Sequence, residues 1–282
     1  MKPITSATQL EQLQDQGFLV LPQLVPAAAL ASIREAALEI VDGFDLDAHR
    51  SVFSTKDRDR GRDEAFFASA QTVHCFLEEE ALDPEGQVVV PPRLAINKIG
   101  HAMHDLVPAF TEFCRQPVFG QLLREVGYQA PALWQTMYIF KQPRIGGEVR
   151  WHQDASYLIT EPAGVMGVWV ALEDATIDNG CLWVQPGGHR SPLRERYEVD
   201  WDQRQGVLHP LDDAPWPSAG QGLALEVPAG SVVVFHDHLP HSSQPNRSGR
   251  SRHAFTMHVA ERGAAWAPHN WLQRPQLGDF LL

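Results

Sequence analysis

The sequence predicts a mainly β fold, a sandwich or jelly-roll barrel with helices at its flank. Three observations carry this. From residue 130 onward, short apolar runs are separated by turns rich in Gly, Pro, Asn and Asp. The opening residues read instead as helix, strand, helix. No internal repeat or low-complexity tract breaks the chain, whose 282 residues suffice for one large β-rich domain with helical additions.

Taken in order, Thr5 or Ser6 caps a helix through Leu10, Leu13 and Gln16, and Gly17 ends it. Phe18-Leu19-Val20-Leu21 is a short strand. Pro26 opens a second helix, with Leu30, Ile33, Ala37 and Ile40 on one face and Gly43 at its end. Residues 44–92 are less regular and form a candidate lid. Lys56-Asp57-Arg58-Asp59-Arg60-Gly61-Arg62-Asp63 is a charged loop there, and Phe66 to Leu82 reads as helix. Val88-Val89-Val90 is a strand or edge segment before Pro91-Pro92. Leu94 to Gly100 reads as strand, and His101–Val107 and Pro108–Val126 as helices. The core strands are Trp134–Lys141, Val149–Asp154, Val165–Leu172, Cys181–Val184, Leu223–Val227, Ser231–Phe235 and His253–Glu261. Residues 191–222, polar and rich in Pro, Asp and Gln, read as a long loop. The expected organisation is one domain over 1–282. It has a helix-rich part at 1–129, a jelly-roll core at 130–262 and a tail at 263–282.

Composition narrows the function. A formal net charge of −12 removes the basic footprint that a nucleic-acid partner needs, though a cleft can still hold an anionic small molecule. The three cysteines, Cys75, Cys114 and Cys181, are widely spaced and argue against a disulfide framework or a structural zinc site. Met1-Lys2-Pro3-Ile4-Thr5 lacks a signal-peptide pattern, and no apolar run reaches membrane-spanning length. The expectation is a cytoplasmic chain with a small-molecule partner and no membrane partner.

Trp151-His152-Gln153-Asp154 carries the chemistry. On an extended strand, residues i and i+2 share a face, so His152 and Asp154 can place an imidazole and a carboxylate in one cavity. These are two members of the 2-His-1-carboxylate set that holds non-haem Fe(II). With 13 histidines present, a lone His-x-Asp says little; the ordered set says more. His241 supplies the third ligand, with His238 as the alternative, and Arg252, eleven residues further on, suits the far carboxylate of a 2-oxo acid. Gln153 points away from the ion, and Trp151 and Tyr157 flank the ligands. His253 and His258 pack or hydrogen-bond, and His101 and His104 are ordinary packing residues.

Several blocks resemble the phytanoyl-CoA dioxygenase family of Fe(II)- and 2-oxoglutarate-dependent oxygenases. They are His152-Gln153-Asp154, Trp169 through Thr176, Asn179-Gly180-Cys181-Leu182, Pro186-Gly187-Gly188-His189, and His241 with Arg252. Gly17-Phe18-Leu19-Val20-Leu21 resembles the family's opening strand. The resemblance covers nearly the whole chain and implies a double-stranded β-helix with helices on one side. It implies Fe(II) on His152, Asp154 and His241, and 2-oxoglutarate contacts from Arg252, Ser243, Lys98, Met137 and Trp169. On residue type alone, Lys98 is also a surface lysine and Trp169 also a core residue. The resemblance further implies hydroxylation of a small organic molecule with O2, ascorbate as a reductant in vitro, release of succinate and CO2, and a monomer. Asp154 argues against the halogenating subfamily, which lacks the acidic ligand. Two other readings stand beside it: a non-catalytic 2-oxoglutarate or small-ligand binding module, and a cupin-like metal hydrolase or isomerase.

Overall fold

Side chains alternate between the two faces of a strand, and both faces of the central strands here are buried. Along Ala254–Glu261, Phe255, Met257 and Val259 join the cluster under the helices, whereas Ala254 joins the cluster between the sheets. The same split runs along Met166–Ala171, with Val168 and Val170 facing the helices and Trp169 and Ala171 facing inward.

The computed structural model describes residues 2–46, 48, 49, 51–53, 64–218 and 220–282. Among these residues nine strands form the larger sheet. Its order is Phe18–Leu21, Val232–His236, Met166–Ala171, Ala254–Glu261, Pro131–Ile139, Ile96–His101, Val73–Glu78 and Val52–Phe53, with Phe280–Leu281 also paired to Pro131–Ile139. Neighbours are antiparallel except for the last pair, Val52–Phe53 with Val73–Glu78. The smaller sheet runs Leu223–Leu225, Leu182–Val184, His241–Ser243, Val149–His152, all antiparallel. Phe18, Trp169, Val233 and Phe235 of the large sheet pack on Leu182, Val184 and Leu225 of the small one. This is the double-stranded β-helix. Its helices cover the outer face of the large sheet: Leu30, Ile33 and Ala37 of Ala27–Asp42, Phe110 and Phe113 of Pro108–Cys114, and Phe119, Leu122 and Leu123 of Pro117–Glu125.

The first helix, Ala7–Gln16, carries a capping box between Ser6 and Gln9, and Gly17 closes it at φ 81°. That turn delivers Phe18 directly into the large sheet, opposite Phe235.

Four expectations are corrected. Phe66 to Leu82 is not one helix: Glu64–Ala68 is helical, but Val73–Glu78 is a strand between Ile96–His101 and Val52–Phe53. Val88 to Val90 forms no strand, and only Val88 makes an isolated bridge, to Leu82. The excursion at 191–222 contains a hairpin, Glu195–Asp200 with Gln205–Pro210. Asp154 lies off its expected strand, which ends at His152; Asp154–Ser156 is a 3-10 turn. The charged stretch Lys56–Asp63 lies outside the described residues.

Candidate metal and cosubstrate site

The turn at Asp154 is built by its neighbours. Gln153 Nε2 donates to His238 O at 2.9 Å and its Oε1 accepts from Arg194 N at 3.0 Å. Ala155 N donates to Asp237 O at 3.0 Å. These bonds pull the chain out of the ladder after His152 and turn Asp154 back toward the small sheet. Gln153 therefore points away from the cavity, as its place between the two ligands predicts.

His241 pairs directly with His152 across the small sheet, and their ring centroids are 4.1 Å apart. Asp154 Oδ1 lies 3.6 Å from His152 Nε2 and 3.7 Å from His241 Nε2. Each imidazole donates its other nitrogen to a carbonyl: His152 Nδ1 to Arg150 O at 2.8 Å, and His241 Nδ1 to Leu239 O at 2.9 Å. Both Nε2 atoms are thereby left as lone pairs facing Asp154, the arrangement that backbone carbonyls impose on ligating histidines. Two donors held at about 2.1 Å by one ion stand roughly 3.0–3.4 Å apart. The observed gaps are slightly wider than that and too long for hydrogen bonds. The trio thus comes within a few tenths of an ångström of the spacing of a set that shares an ion, and its gaps do not fit a shared proton. Burial, with His241 second, draws the His152 pKa down to about 4, so it offers a neutral ligand at pH 7. Burial would raise the Asp154 carboxyl, but His258 and His241 hold it well below the usual carboxylate range.

A second cluster, His236, Asp237 and His238, also brings three donor atoms together. Here Asp237 Oδ1 is 2.8 Å from His236 Nδ1 and 2.9 Å from His238 Nδ1, which are hydrogen-bond separations. Its Oδ2 accepts from Val165 N at 3.0 Å. This is a buried carboxylate capped by two imidazoles. His238, the alternative to His241, is committed to it.

The residues expected to bind the cosubstrate lie on facing walls. Arg252 is 2 % exposed; its Nε donates to Gly180 O at 3.0 Å, while its Nη1 is buried without a partner. The guanidinium carbon lies 5.5 Å from the Trp169 ring centroid. Trp169 and Met137 both stand opposite Thr256 on neighbouring strands, so these side chains form one row on the inner face. Lys98 Nζ closes the row 3.9 Å from Met137 Sδ, lying 3.8 Å from the Phe53 ring centroid with Phe76 and Phe66 beyond. Ser243 is differently engaged: its Oγ accepts from Lys141 Nζ at 2.8 Å.

Lys141 has no place among the expected site residues. Its ammonium also donates to Gly147 O at 2.6 Å, and its stem lies against Gly180. Burial, with Arg252 beside it, holds its pKa well below the ordinary lysine value. The residue closes the apolar run Met137–Phe140 just before Gly146-Gly147, and that placement is the one sequence signal for it.

A grouped His/Asp/His set on a double-stranded β-helix, together with the buried Arg252, fits the oxygenase class. The phytanoyl-CoA dioxygenase (PhyH) family profile matches residues 13–254, and the chain belongs to that family. A phytanoyl-CoA dioxygenase of Arabidopsis thaliana is 40% identical over 276 residues, covering 97% of this chain and 95% of that one. Phytanoyl-CoA dioxygenase domain-containing protein 1 of Mus musculus is 40% identical, covering 95% and 94%. Among solved structures, the epimerase SnoN in complex with Fe3+, alpha ketoglutarate and nogalamycin RO superposes with a TM-score of 0.64 at 14% identity, covering 96% of this chain and 90% of that one. No helix among the described residues is long and apolar enough to cross a membrane.

Proposed function

We propose that the chain is an Fe(II)- and 2-oxoglutarate-dependent dioxygenase that hydroxylates a small organic molecule and releases succinate and CO2. The observation that carries this reading is the convergence of half-buried His152 with buried Asp154 and His241, Asp154 Oδ1 lying 3.6 and 3.7 Å from the two imidazole Nε2 atoms. Family membership supports it, as does the presence of iron and alpha ketoglutarate together in SnoN.

In this reading His152, Asp154 and His241 hold Fe(II). Arg252 takes the far carboxylate of 2-oxoglutarate, beside Ser243, while Trp169, Met137 and Lys98 wall the cavity. Iron, when bound, supplies the activation of O2 that no side chain provides, with ascorbate as a reductant in vitro. The protein supplies geometry. Arg150 O and Leu239 O fix the tautomers of His152 and His241, so no proton has to leave either imidazole before it ligates. Gly180 O anchors one edge of the Arg252 fork and leaves Nη1 for the carboxylate. Lys141 donates into the Ser243 hydroxyl, which turns the serine's own hydrogen elsewhere, toward an acceptor. Tyr157, its ring 6.3 Å from that of His152, is an aromatic side chain beside the proposed ligands that a substrate could meet.

The test is succinate formed from 2-oxoglutarate by the purified protein with Fe(II), O2 and ascorbate, beside Asp154→Ala. The expected result is slow succinate release by the wild type and none by the variant. A wild type that neither forms succinate nor binds a divalent metal would refute the reading.

A further inference from the structure

Asp154 gives its two oxygens separate partners. Oδ1 faces His152 and His241, both on the small sheet; Oδ2 accepts a hydrogen bond from His258 Nε2 at 3.1 Å. His258 belongs to Ala254–Glu261, in the large sheet. The wall opposite the ligands therefore reaches across the cavity and holds the carboxylate from behind.

His258 is in turn held. Gln135, directly opposite on Pro131–Ile139, donates its Nε2 to His258 Nδ1 at 2.8 Å. With Nδ1 accepting, the imidazole proton sits on Nε2 and points at Asp154. Gln135 Oε1 is buried without a partner, so the contact with His258 is what fixes the amide. The ladder between the two strands shifts register just after His258, at Val259, and the bulged residue, Trp134, turns out to stack on Trp266 at 3.8 Å. A bulge beside a site re-aims the side chains around it; this one sets Gln135 opposite His258. His258 is 3 % exposed and Gln135 4 %, so water does not compete for either bond.

We propose that His258, oriented by Gln135, is a positioning residue that keeps the Asp154 carboxylate turned so that a bound ion takes only one of its oxygens. The inference rests on the metal role assigned above to His152, Asp154 and His241. A carboxylate free to rotate would bring its second oxygen to the ion. It would then fill a position that the facial set leaves open for cosubstrate and O2. Hydrogen-bonding partners of metal ligands act in this way, setting ligand orientation rather than touching the ion.

The experiment is an anaerobic titration of Co(II), read by its visible absorption, into metal-free wild type, Asp154→Ala, His258→Phe, His258→Gln and Gln135→Met. Saturable binding by the wild type that is lost in Asp154→Ala supports the metal site itself. If the wild type binds no Co(II), the reading of function fails and takes this inference with it. If the site binds, His258→Phe is expected to weaken binding about 10- to 100-fold and to alter the Co(II) band as the freed carboxylate rotates. His258→Gln, whose amide still donates to Oδ2, restores the band and most of the affinity, and Gln135→Met gives an intermediate loss. A packing role alone would lower stability in both His258 variants and leave the band unmoved. Affinities and bands that match the wild type in His258→Gln, Gln135→Met and every other variant that folds, Asp154→Ala excepted, would overturn the proposal. The Gln and Met variants keep the buried side chains near their original size, so the outcome does not hinge on the Phe variant folding.

Discussion

Replacing Arg252 by Leu is expected to separate cosubstrate recognition from metal binding. The guanidinium is fixed at one edge by Gly180 O, 3.0 Å from Nε, and presents a buried, unpartnered Nη1 at another. Burial draws its pKa down only to about 10, so it is cationic at pH 7. A hydrogen bond to a charged partner contributes about 1.5–3 kcal/mol. Two such bonds in a fork amount to about 3–6 kcal/mol, which raises the Kd for 2-oxoglutarate about 100- to 20,000-fold. Arg252→Lys keeps the charge but loses the fork, and should fall between wild type and Leu. The assay is an anaerobic titration of 2-oxoglutarate into the Fe(II)-loaded protein, following the visible charge-transfer band, with metal affinity measured separately. Arg252 makes no contact with the His152, Asp154 and His241 donors, so metal affinity should stay within about threefold of wild type. Metal and cosubstrate affinities that fall together would refute the division of labour.

Three further outcomes follow from the same geometry. Gly167→Ala places a Cβ 2.6 Å from the Phe235 ring, whose centroid lies 4.7 Å from that of His241; overpacking should cost about 1–3 kcal/mol and weaken metal binding, and an unchanged Tm would contradict it. Glu125 accepts from Thr5 N and Thr5 Oγ1, both at 2.8 Å, and from Ile4 N at 3.0 Å. Burial would raise its pKa, but the bonds from Gln121, Ile4 and Thr5 carry it from 4.5 down to about 2. The stabilisation is therefore complete above pH 4.5 and lost as pH falls toward 2, and Glu125→Gln should flatten that acid limb in thermal melts. The carboxylate is half-buried and still screened by solvent, so the difference near neutral pH should be about 1 kcal/mol. Finally, a free small molecule rather than a CoA thioester is the expected substrate, because the charged sequence Lys56–Asp63 interleaves acids with its bases. Tight, saturable binding of acyl-CoAs, measured by competition, would overturn that.

Features written in local spacing were legible in the chain. Gly17 and Gly43 mark helix ends, and the apolar runs Met166–Ala171 and Val232–Phe235 lie in central strands. His152, Asp154 and His241 converge as their order implies, although not by the expected route. An i, i+2 strand geometry was predicted, and a 3-10 turn tied to Asp237 O performs the same convergence. Long-range closure was not legible. Val73-His74-Cys75-Phe76-Leu77-Glu78 is as compatible with a buried helix as with a strand until Ile96–His101 lies beside it. The hairpin at Glu195–Asp200 did leave a trace, with Tyr197 and Val199 alternating with polar residues, but the acidic and proline-rich context masked it. Lys141, Gln135 and His258 look like ordinary polar residues on strands. Only the opposed sheets show that one ammonium serves Ser243 and one imidazole serves Asp154.

The hydrogen bonds that shape the trio are all made within the protein. Arg150 O, Leu239 O and His258 bond directly to the three proposed ligands, and Asp237 O bonds Ala155 N in the turn that carries Asp154. In the proposed metal role, donor orientation is thus set by hydrogen bonds within the fold, unlike sites that form only as metal uptake drives folding. A donor set of two imidazoles and one carboxylate, as proposed here, obeys the intrinsic affinity order of divalent metals, in which nickel, copper and zinc all exceed ferrous iron. Protein isolated from a cell or passed over a nickel column should therefore arrive mis-metallated, carrying whichever strong competitor it met first. Chelation followed by anaerobic loading with Fe(II) would then be the step that decides whether a preparation is active.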